Sequence, residues 1–414
     1  FLMVSILPAL VLRALVYGKH HSRTDLEKDL NRMVEKIRGS VSALFLSVLL
    51  ISTPFSVEGF DGAFEGRVKA GSVYVPDAPP GFKDFDSEVE LHLGVLGNAW
   101  KGERWQFDYE LSADAKQADG PSEQASLSKE TDTDLHRAWL RLSDGRWEVR
   151  GGRQKIDFGS GFIYRPLSFF NTRDVTGVVP ETRGVDGVRS TYFINDTTSV
   201  QGWVVPAKAG ERVIAGLRWE GLLGEVESGW VAQYHPESDL SDLPQFGQEL
   251  IQFGYHFKGE YAVGYWTEGR VDVERINGRH PLRFDSVLGT DFTFDVGDGL
   301  HVLIEYFFST REPQFTQEEA LKGDRTLHQF GVLFDQPVGA DITWQVFGLF
   351  DGRDGSFQII PQVEYALTSE VFLYLSGRWG GTLKTDRRNG RLFEETETFS
   401  GTEPNVGLTV VGYF

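Results

Sequence analysis

The sequence contains no cysteine, and only two of its 414 residues are methionine. Without cysteine, the chain has no disulfide bond, no thiolate nucleophile and no cysteine-ligated metal site. No apolar run reaches the eighteen residues that a membrane-spanning helix requires. The motifs HExxH and GxSxG are absent as well, so the chain carries neither the zinc-binding helix of metalloproteases nor the nucleophile turn of serine hydrolases.

Acidic residues outnumber basic residues in this chain. The chain has 41 lysine and arginine residues against 60 aspartate and glutamate residues, a formal net charge of −19. Such a chain would repel phosphates, so we expect no nucleic-acid partner. Glycine (47 residues) and phenylalanine (31 residues) are abundant. Because water-soluble and membrane β proteins share this composition, only the pattern along the chain distinguishes them.

The first 59 residues have the features of a leader rather than of a fold. From Met33, a short basic start precedes the apolar run Val41 to Ser52, and small residues follow. This order is that of a secretory signal peptide, which we place at 33–59. We interpret residues 1–32 as an upstream extension outside the translated protein; the alternative is a genuine cytoplasmic extension.

From Phe60 onwards, apolar and charged residues alternate. In the first stretch, Phe64 and Val68 alternate with Glu65 and Arg67. Because side chains alternate between the two faces of a strand, this pattern predicts a strand with one apolar and one polar face. Eighteen segments share it: 60–75, 86–97, 103–116, 134–142, 146–155, 185–193, 198–206, 211–220, 225–234, 248–257, 260–270, 282–296, 299–309, 326–335, 341–350, 357–367, 371–380 and 403–414.

The lengths of these segments and of their connections predict a membrane barrel. Most segments are long enough to cross a bilayer at a tilt. Tight turns such as 143–145 alternate with longer polar stretches such as 117–133, an arrangement typical of outer-membrane barrels. We therefore predict an all-β fold, a closed antiparallel transmembrane β-barrel of about 18 strands over 60–414, with short periplasmic turns and long extracellular loops. Its place would be the bacterial outer membrane, in contact with lipid and lipopolysaccharide.

The last ten residues, NVGLTVVGYF, alternate again and end on Phe414. This end resembles the C-terminal strand of bacterial outer-membrane proteins, whose final aromatic residue is recognised by the outer-membrane assembly machinery. The resemblance implies that Phe414 is the assembly signal of this chain and that the assembly machinery is one of its partners.

A barrel of this size encloses an aqueous channel, and the alternation places two charged groups on its inward face. The basic group is Arg137, Arg141, Arg146, Arg150, Arg153, Arg189, Arg212 and Arg218. The acidic group is Glu225, Glu227, Glu260, Glu268, Asp285, Asp291, Asp295 and Glu305. Two interpretations are open: the groups form two opposed arcs across the lumen, or their separation along the chain is a chance sorting of solvated residues. The face assignment depends on the register, since a shift of one residue moves every side chain of a strand to the other face.

The alternation stops in segment 156–184, which is rich in aromatic residues such as Phe158, Tyr164 and Phe169. Such a composition suits neither disorder nor free exposure. Folded into the lumen, the segment would bury these rings and narrow the pore; the alternative is an outward cap packed on other loops. The predicted constriction consists of Arg137, Arg141, Arg150, Arg153, Asp157, Arg165, Arg173, Asp174, Arg183 and Arg189, opposite the acidic residues named above.

The stretch VRGGRQKIDFGSGFIYRPLSFFNTRD, followed later by GVDGVR, resembles a GRQ…G…P…N…D…G…GVR signature. Several bacterial outer-membrane porin and alginate-export-type families share this signature, and in them the strand that ends in Gly-Arg-Gln leads into an inward-folded constriction. The resemblance covers residues 149–189 and implies the same path here. It does not specify a substrate.

These features favour a passive channel for small hydrophilic solutes or ions, selective through pore width and wall charge. The net charge favours cations and the local arginines favour anions, and the sequence leaves both open. Alternatives are an export conduit for an anionic polysaccharide, which the acidic later strands oppose, and a plugged structural or adhesive barrel. An enzyme is the least favoured class, because the histidines are scattered and the glycines near Ser160 do not complete a dinucleotide fingerprint. We expect no cofactor and no bound metal, and the sequence is compatible with a monomer or a homotrimer.

Overall fold

The computed structural model describes residues 62–75, 85–119, 130–170, 173–207, 212–236, 249–275, 282–310, 326–353, 355–383 and 404–414. The predicted signal peptide and the upstream extension lie outside the described residues. All regular elements of the described ranges are β-strands. None of these residues belongs to a helix with the length and apolar character needed to cross a membrane.

The structure contains eighteen strands, the number that the alternation predicts. In chain order they are β1 (Gly62–Tyr74), β2 (Phe85–Lys101), β3 (Gln106–Asp119), β4 (Glu130–Ser143), β5 (Trp147–Gln154), β6 (Val185–Phe193), β7 (Ser199–Pro206), β8 (Val213–Leu223), β9 (Val226–His235), β10 (Glu249–Glu260), β11 (Gly264–Arg275), β12 (Leu282–Phe294), β13 (Leu300–Ser309), β14 (Leu327–Val338), β15 (Ile342–Asp351), β16 (Ser356–Ala366), β17 (Val371–Thr382) and β18 (Asn405–Tyr413). The predicted bounds differ at strand ends. β2 and β4 extend beyond 86–97 and 134–142 because backbone pairing continues there through residues outside the alternating pattern.

Each strand pairs antiparallel with its neighbours in sequence, and β1 also pairs with β18. The register along this last seam runs from Arg67 opposite Tyr413 to Tyr74 opposite Val406. The sheet therefore closes on itself, and closure removes the unpaired edges that an open sheet would present. The predicted fold class, a closed antiparallel β-barrel of 18 strands, is confirmed.

The connections separate into two groups by barrel end. At one end, the short-turn end, lie 102–105, 144–146, 194–198, 224–225, 261–263, 295–299, 339–341 and 367–370. At the other, the loop end, lie the strand ends that flank the remaining connections, those from β1 to β2, β3 to β4, β5 to β6, β7 to β8, β9 to β10, β11 to β12, β13 to β14, β15 to β16 and β17 to β18. The assignment of the short-turn end to the periplasm remains a prediction.

The turn between β4 and β5 shows how local chemistry keeps a connection short. The Asp144 carboxylate accepts hydrogen bonds from the backbone N–H groups of Arg146 (3.0 Å) and Trp147 (2.7 Å). Gly145 between them has a φ of 85°, a conformation that favours glycine. The bond from Trp147 is the main reason that the pKa of the Asp144 carboxyl lies below its ordinary value.

The two faces of the barrel wall differ in chemistry. On β5, Trp147 and Val149 are 47% and 42% exposed on the outer face, whereas Glu148 and Arg150 are half-buried on the inner face. Large apolar side chains are exposed on the outer face of many other strands, including Leu111, Leu140, Leu217, Phe253, Leu288, Ile304 and Phe330. Such an extensive apolar surface is unfavourable in water and favourable against lipid tails, so the wall is built to span a membrane.

The C-terminal residue takes part in the closing seam. Backbone hydrogen bonds join Gly66 and Phe414 in both directions, at 2.8 and 3.0 Å. The Phe414 ring covers Gly66 so closely that a Cβ there would lie 2.2 Å from two ring atoms. The ring also packs against a cluster that contains Val68, Ala70 and Val410. In the folded barrel Phe414 therefore helps to join the first strand to the last, while its recognition by the assembly machinery remains a prediction.

Replacing Phe414 by alanine should weaken the seam. Loss of a ring packed on protein should lower the free energy of unfolding by about 1.5–3 kcal/mol, measured by urea titration of tryptophan fluorescence in lipid vesicles. The control Phe253→Ala removes an equally large ring from the outer face of β10, away from the seam, and should cost less. An equal loss in both variants would contradict a special role for Phe414.

Candidate functional site

Residues 155–184 connect the end of β5 to the start of β6, and all but 171–172 are described. We call them the inner segment. Their side chains or backbone contact β1, β7, β11, β13 and β17. These strands lie on different sides of the closed barrel, and a single segment can reach all of them only through the interior. The inner segment therefore crosses the lumen.

Two glycines allow the chain to leave the barrel wall. Gly152 has a φ of 114°, and a Cβ there would lie 2.1 Å from a carbonyl oxygen of β4. Gly159 has a φ of 91°, and a Cβ there would lie 2.1 Å from a carboxylate oxygen of β11. Between them, the buried Gln154 side chain donates hydrogen bonds to the carbonyl oxygens of Arg150 (3.2 Å) and Gly187 (3.1 Å). These contacts fix the point at which the chain turns inward.

Glu268 on β11 holds the first part of the inner segment. Its side chain is fully buried, and its carboxylate accepts backbone N–H hydrogen bonds from Ser160 (2.9 Å), Gly161 (2.9 Å) and Leu167 (2.5 Å). Hydrogen bonds to a charged acceptor contribute about 1.5–3 kcal/mol each. The carboxylate and the backbone groups thus compensate each other's burial.

Glu305 on β13 repeats this arrangement further across the lumen. It too is fully buried, and it accepts hydrogen bonds from the backbone N–H groups of Phe162 (2.7 Å), Ile163 (2.8 Å) and Tyr164 (2.8 Å) and from the indole N–H of Trp266 (2.8 Å). Together the two glutamates bind every backbone N–H from 160 to 164. The two glutamates therefore hold the inner segment by its backbone N–H groups and not by a motif of its side chains.

Apolar contacts add to these hydrogen bonds on two sides of the lumen. Near the start of the segment, the ring of Phe158 lies 4.7 Å from that of Trp203 on β7 and 6.0 Å from that of Phe169. On the far side, the Tyr164 ring stacks on Phe307 of β13 with the centroids 5.1 Å apart. Both contacts belong to buried apolar clusters, so the aromatic residues of the segment pack against the barrel wall.

The end of the inner segment is held by ion pairs. Glu181 pairs with Arg67 of β1, which also contacts Glu90 at 2.5 Å. Arg137 of β4 donates a hydrogen bond to the backbone oxygen of Thr182 at 2.6 Å. Burial acts to raise the pKa of Glu181, but the hydrogen bonds and the charge of Arg67 outweigh it, and the pKa of Glu181 lies below its ordinary value.

Three arginines form a row across neighbouring strands beside the inner segment. Arg141 on β4 lies opposite Arg150 on β5, which lies opposite Arg189 on β6. All three are near the Glu148 carboxylate, at 3.5, 3.2 and 3.6 Å, and Arg141 also contacts Asp108 at 2.7 Å. The result is a patch of guanidinium groups on the inner wall, which we call the arginine row.

Arg153 does not join this row. The predicted constriction includes Arg153, but this residue lies opposite Asp186 and pairs with Asp186 and Asp134, both at 2.9 Å. Because Arg150 and Arg153 are three residues apart along one strand, their side chains leave opposite faces. Arg153 therefore has the outward orientation of Trp147 and is not a lumen residue in this structure.

The predicted residues of the inner segment lie at several points along it. Asp157 and Arg165 contact each other at 2.8 Å, so each partly neutralises the other. Asp174 lies 3.9 Å from Arg378 on β17. The side chains of Arg173 and Arg183 are exposed.

The predicted acidic residues separate into two sets. Asp285 is buried and contacts Arg270 (3.0 Å) and the Ser309 hydroxyl (2.5 Å), while Glu268 and Glu305 bind the inner segment as described above. Asp291 lies 3.4 Å from His301. The remaining four, Glu225, Glu227, Glu260 and Asp295, are exposed at or near the short-turn end. Glu268, Asp285 and Glu305 are therefore buried and bound to other groups of the protein, and they do not face the arginine row as free charges.

Several residues that hold the site were not singled out from the sequence. Arg270 donates a hydrogen bond to the Pro166 carbonyl oxygen at 2.7 Å, Trp203 packs on the segment, and Arg67 binds its end. The alternation places each of these on an inward face. It does not indicate which inward residue touches a segment that lies 45 to 114 positions away in sequence.

No protein-family model and no curated protein matches the sequence. Among solved structures, OccAB1 of Acinetobacter baumannii is similar with a TM-score of 0.55 at 11% identity, over 86% of this chain and 97% of that chain. A triple mutant of the Rhodopseudomonas blastica porin has a TM-score of 0.46 at 13% identity, over 85% of this chain and 100% of that chain. A loop-deletion mutant of OmpT, an outer membrane protein of Vibrio cholerae, has a TM-score of 0.42 at 12% identity, over 85% of this chain and 99% of that chain. The likeness to OccAB1 supports a shared barrel fold.

Replacing Glu305 by glutamine should loosen the inner segment. The amide has only one acceptor oxygen and no charge, so some of the N–H groups now bound would lose their partner. A loss of about 1.4 kcal/mol corresponds to a tenfold change, so we expect amide hydrogen exchange at 162–164 to accelerate about tenfold or more. Mass spectrometry of the detergent-solubilised barrel measures the rate.

The matched control is Glu260→Gln, which makes the same change at an exposed glutamate that the inner segment does not contact. It should leave exchange at 162–164 unchanged. Unchanged exchange in the Glu305→Gln variant would show that this carboxylate does not hold the segment.

The contact between Arg67 and Glu181 should depend on pH. Because folding lowers the pKa of Glu181, the stabilisation is fully present above the ordinary glutamate pKa of about 4.3 and is lost as the pH falls through the lower folded value. Exchange of amides near 181, corrected for the intrinsic rate, should therefore accelerate below about pH 4. The Glu181→Gln variant should show no such step; an identical step in that variant would assign the pH dependence to another group.

Proposed function

We propose that the chain is an outer-membrane channel for passive diffusion of small hydrophilic solutes or ions. A barrel of 18 strands is wide enough to leave an aqueous path, and the outer apolar face suits a lipid bilayer. The observation that carries the proposal is the arginine row beside a segment that crosses the lumen. A narrowed path lined by charge is the arrangement by which pores select solutes.

The wall charge favours anions in this channel. The arginine row has three guanidinium groups, and Glu148 is the one carboxylate that all three approach. Glu268 and Glu305 are fully buried against the backbone of the inner segment, which removes their charges from the solute path. This arrangement supports anion preference despite the net charge of −19 of the whole chain.

The remaining predicted features belong to the same proposal. The barrel would contact outer-membrane lipid and lipopolysaccharide, Phe414 would be recognised by the assembly machinery, and a homotrimer would bury part of the apolar outer face. The predicted constriction residues Arg165, Arg173, Asp174 and Arg183 would line the path together with the inner segment. We propose a transport function rather than an enzymatic one.

Single-channel conductance across a planar bilayer under a salt gradient tests the proposal. We expect a reversal potential of anion sign, and the Arg150→Ala and Arg189→Ala variants should each shift it towards cations, because each removes one positive charge from the wall. The control Arg153→Ala removes the same charge from the outward face and should leave selectivity unchanged. A cation-selective wild type would contradict the role of the arginine row.

A plugged structural barrel is the second candidate, and one observation favours it. Five consecutive backbone N–H groups of the inner segment bind two buried carboxylates, so the segment is held firmly enough to act as a plug. Wild-type protein without conductance at any voltage, together with conductance in the Glu305→Gln variant, would support this alternative. An export conduit for a polysaccharide is less favoured, because the arginine row is confined to β4, β5 and β6.

A further inference from the structure

Three side chains on adjacent strands meet on the inner wall away from the arginine row. His92 on β2, Asp114 on β3 and His136 on β4 converge so that one carboxylate lies between two imidazoles. Nδ1 of His92 is 2.6 Å from one carboxylate oxygen, and Nδ1 of His136 is 2.9 Å from the other. The two rings lie edge to face with the centroids 5.0 Å apart. Among the described residues, this is the group of three potential metal-binding side chains whose ligand atoms all lie within 4.8 Å of one another.

A β-bulge brings the third member into this group. Between β3 and β4 the register shifts, so that Arg137 lies opposite Ser112 while Leu135 lies opposite Ala113. His136 is the extra residue. In a regular strand, His136 and the inward-facing Arg137 would leave opposite faces, and the histidine would point to the outer, apolar face. The bulge turns His136 inward, which is a recognised use of bulges.

The ligand set suits a divalent first-row transition metal. Two imidazole nitrogens and one carboxylate are ligands that Zn²⁺ accepts, with metal–ligand distances of about 2.0–2.2 Å and about 3.3 Å between neighbouring ligand atoms in a tetrahedral site. The spacings of 2.6 and 2.9 Å at Asp114 are those of hydrogen bonds, so the imidazoles would move away from the carboxylate by about 0.4–0.7 Å to reach this value. An ion between the three groups would replace the hydrogens now shared between nitrogen and oxygen, with each imidazole carrying its proton on Nε2 instead.

The surrounding charges tolerate a cation. The nearby Arg67 contacts both Glu90 and Glu181, and Lys69 contacts Glu88 and Glu90. The positive charges of Arg67 and Lys69 are therefore balanced by carboxylates. Arg137, which follows His136, is held by the backbone oxygens of His136 and Thr182. The side chains of His92, His136 and Asp114 are 11%, 13% and 22% exposed, so an ion in the lumen can reach the cluster and retain a water ligand.

We propose that His92, Asp114 and His136 form a binding site for a divalent transition-metal ion such as Zn²⁺ on the inner wall of the barrel. The site is separate from the arginine row and does not depend on whether the barrel conducts. The ligand atoms are Nδ1 of both histidines and the carboxylate of Asp114, with water completing the coordination.

Isothermal titration of the folded, tag-free protein with Zn²⁺ tests the site. The wild type should bind one ion per chain, and His92→Ala, His136→Ala and Asp114→Asn should each weaken binding about tenfold or more. The matched control is His301→Ala: His301 has two aspartate neighbours, Asp335 at 2.7 Å and Asp291 at 3.4 Å, but no second imidazole in its ion pairs. This control should bind Zn²⁺ as the wild type does.

X-ray absorption of the Zn²⁺-loaded wild type provides a second measurement that needs no variant. It should show two imidazole ligands in the first shell of the metal. The proposal is wrong if the wild type has no saturable Zn²⁺ binding, if the spectrum lacks imidazole scattering, or if folded His92→Ala and His136→Ala bind as tightly as His301→Ala.

Discussion

A backbone that crosses the inside of a β-barrel must find partners for its own N–H groups, and two buried glutamates supply them here. The barrel wall uses its backbone groups in its own ladder, so it offers only side chains to the inner segment. Glu268 and Glu305 project from strands two apart and bind consecutive N–H groups of the inner segment. Removing either carboxylate would leave buried donors without acceptors, which is costly.

This use of carboxylates changes the electrostatics of the lumen. A glutamate on an inward face is ordinarily a charge that a solute meets, but these two are enclosed by the segment that they bind. The three guanidinium groups of the arginine row share one carboxylate, Glu148, at 3.2–3.6 Å, and Arg141 also contacts Asp108 at 2.7 Å. The field along the path thus depends on which charges the fold buries, not on the net charge of the chain. For this reason an acidic protein is compatible with an anion-selective pore.

The wall itself contains two kinds of irregularity, and each serves the interior. Gly152, near the end of β5, takes a conformation that favours glycine and allows the chain to turn away from the sheet. The bulge at His136 redirects one side chain while both strands continue. The pairing of β4 with β3 continues on both sides of the bulge, and β4 pairs with β5 through Gly152, so the barrel stays closed. At both positions the arrangement of groups on the inner face changes while the apolar outer face of the barrel is kept.

The sequence by itself determined the architecture, because the alternation of side chains along a strand is a local property. The strand number, the closed barrel, the inward arginines on β4, β5 and β6 and the unusual character of 156–184 all follow from neighbouring residues. Only the tertiary structure decided which inward residues meet. The meeting of His92, Asp114 and His136 depends on a single extra residue in β4. The outward orientation of Arg153, by contrast, follows from the alternation itself, because Arg153 is three residues after the inward Arg150. The burial of Glu268 and Glu305 depends on contacts with residues more than 100 positions away, and no local pattern records a contact of that kind.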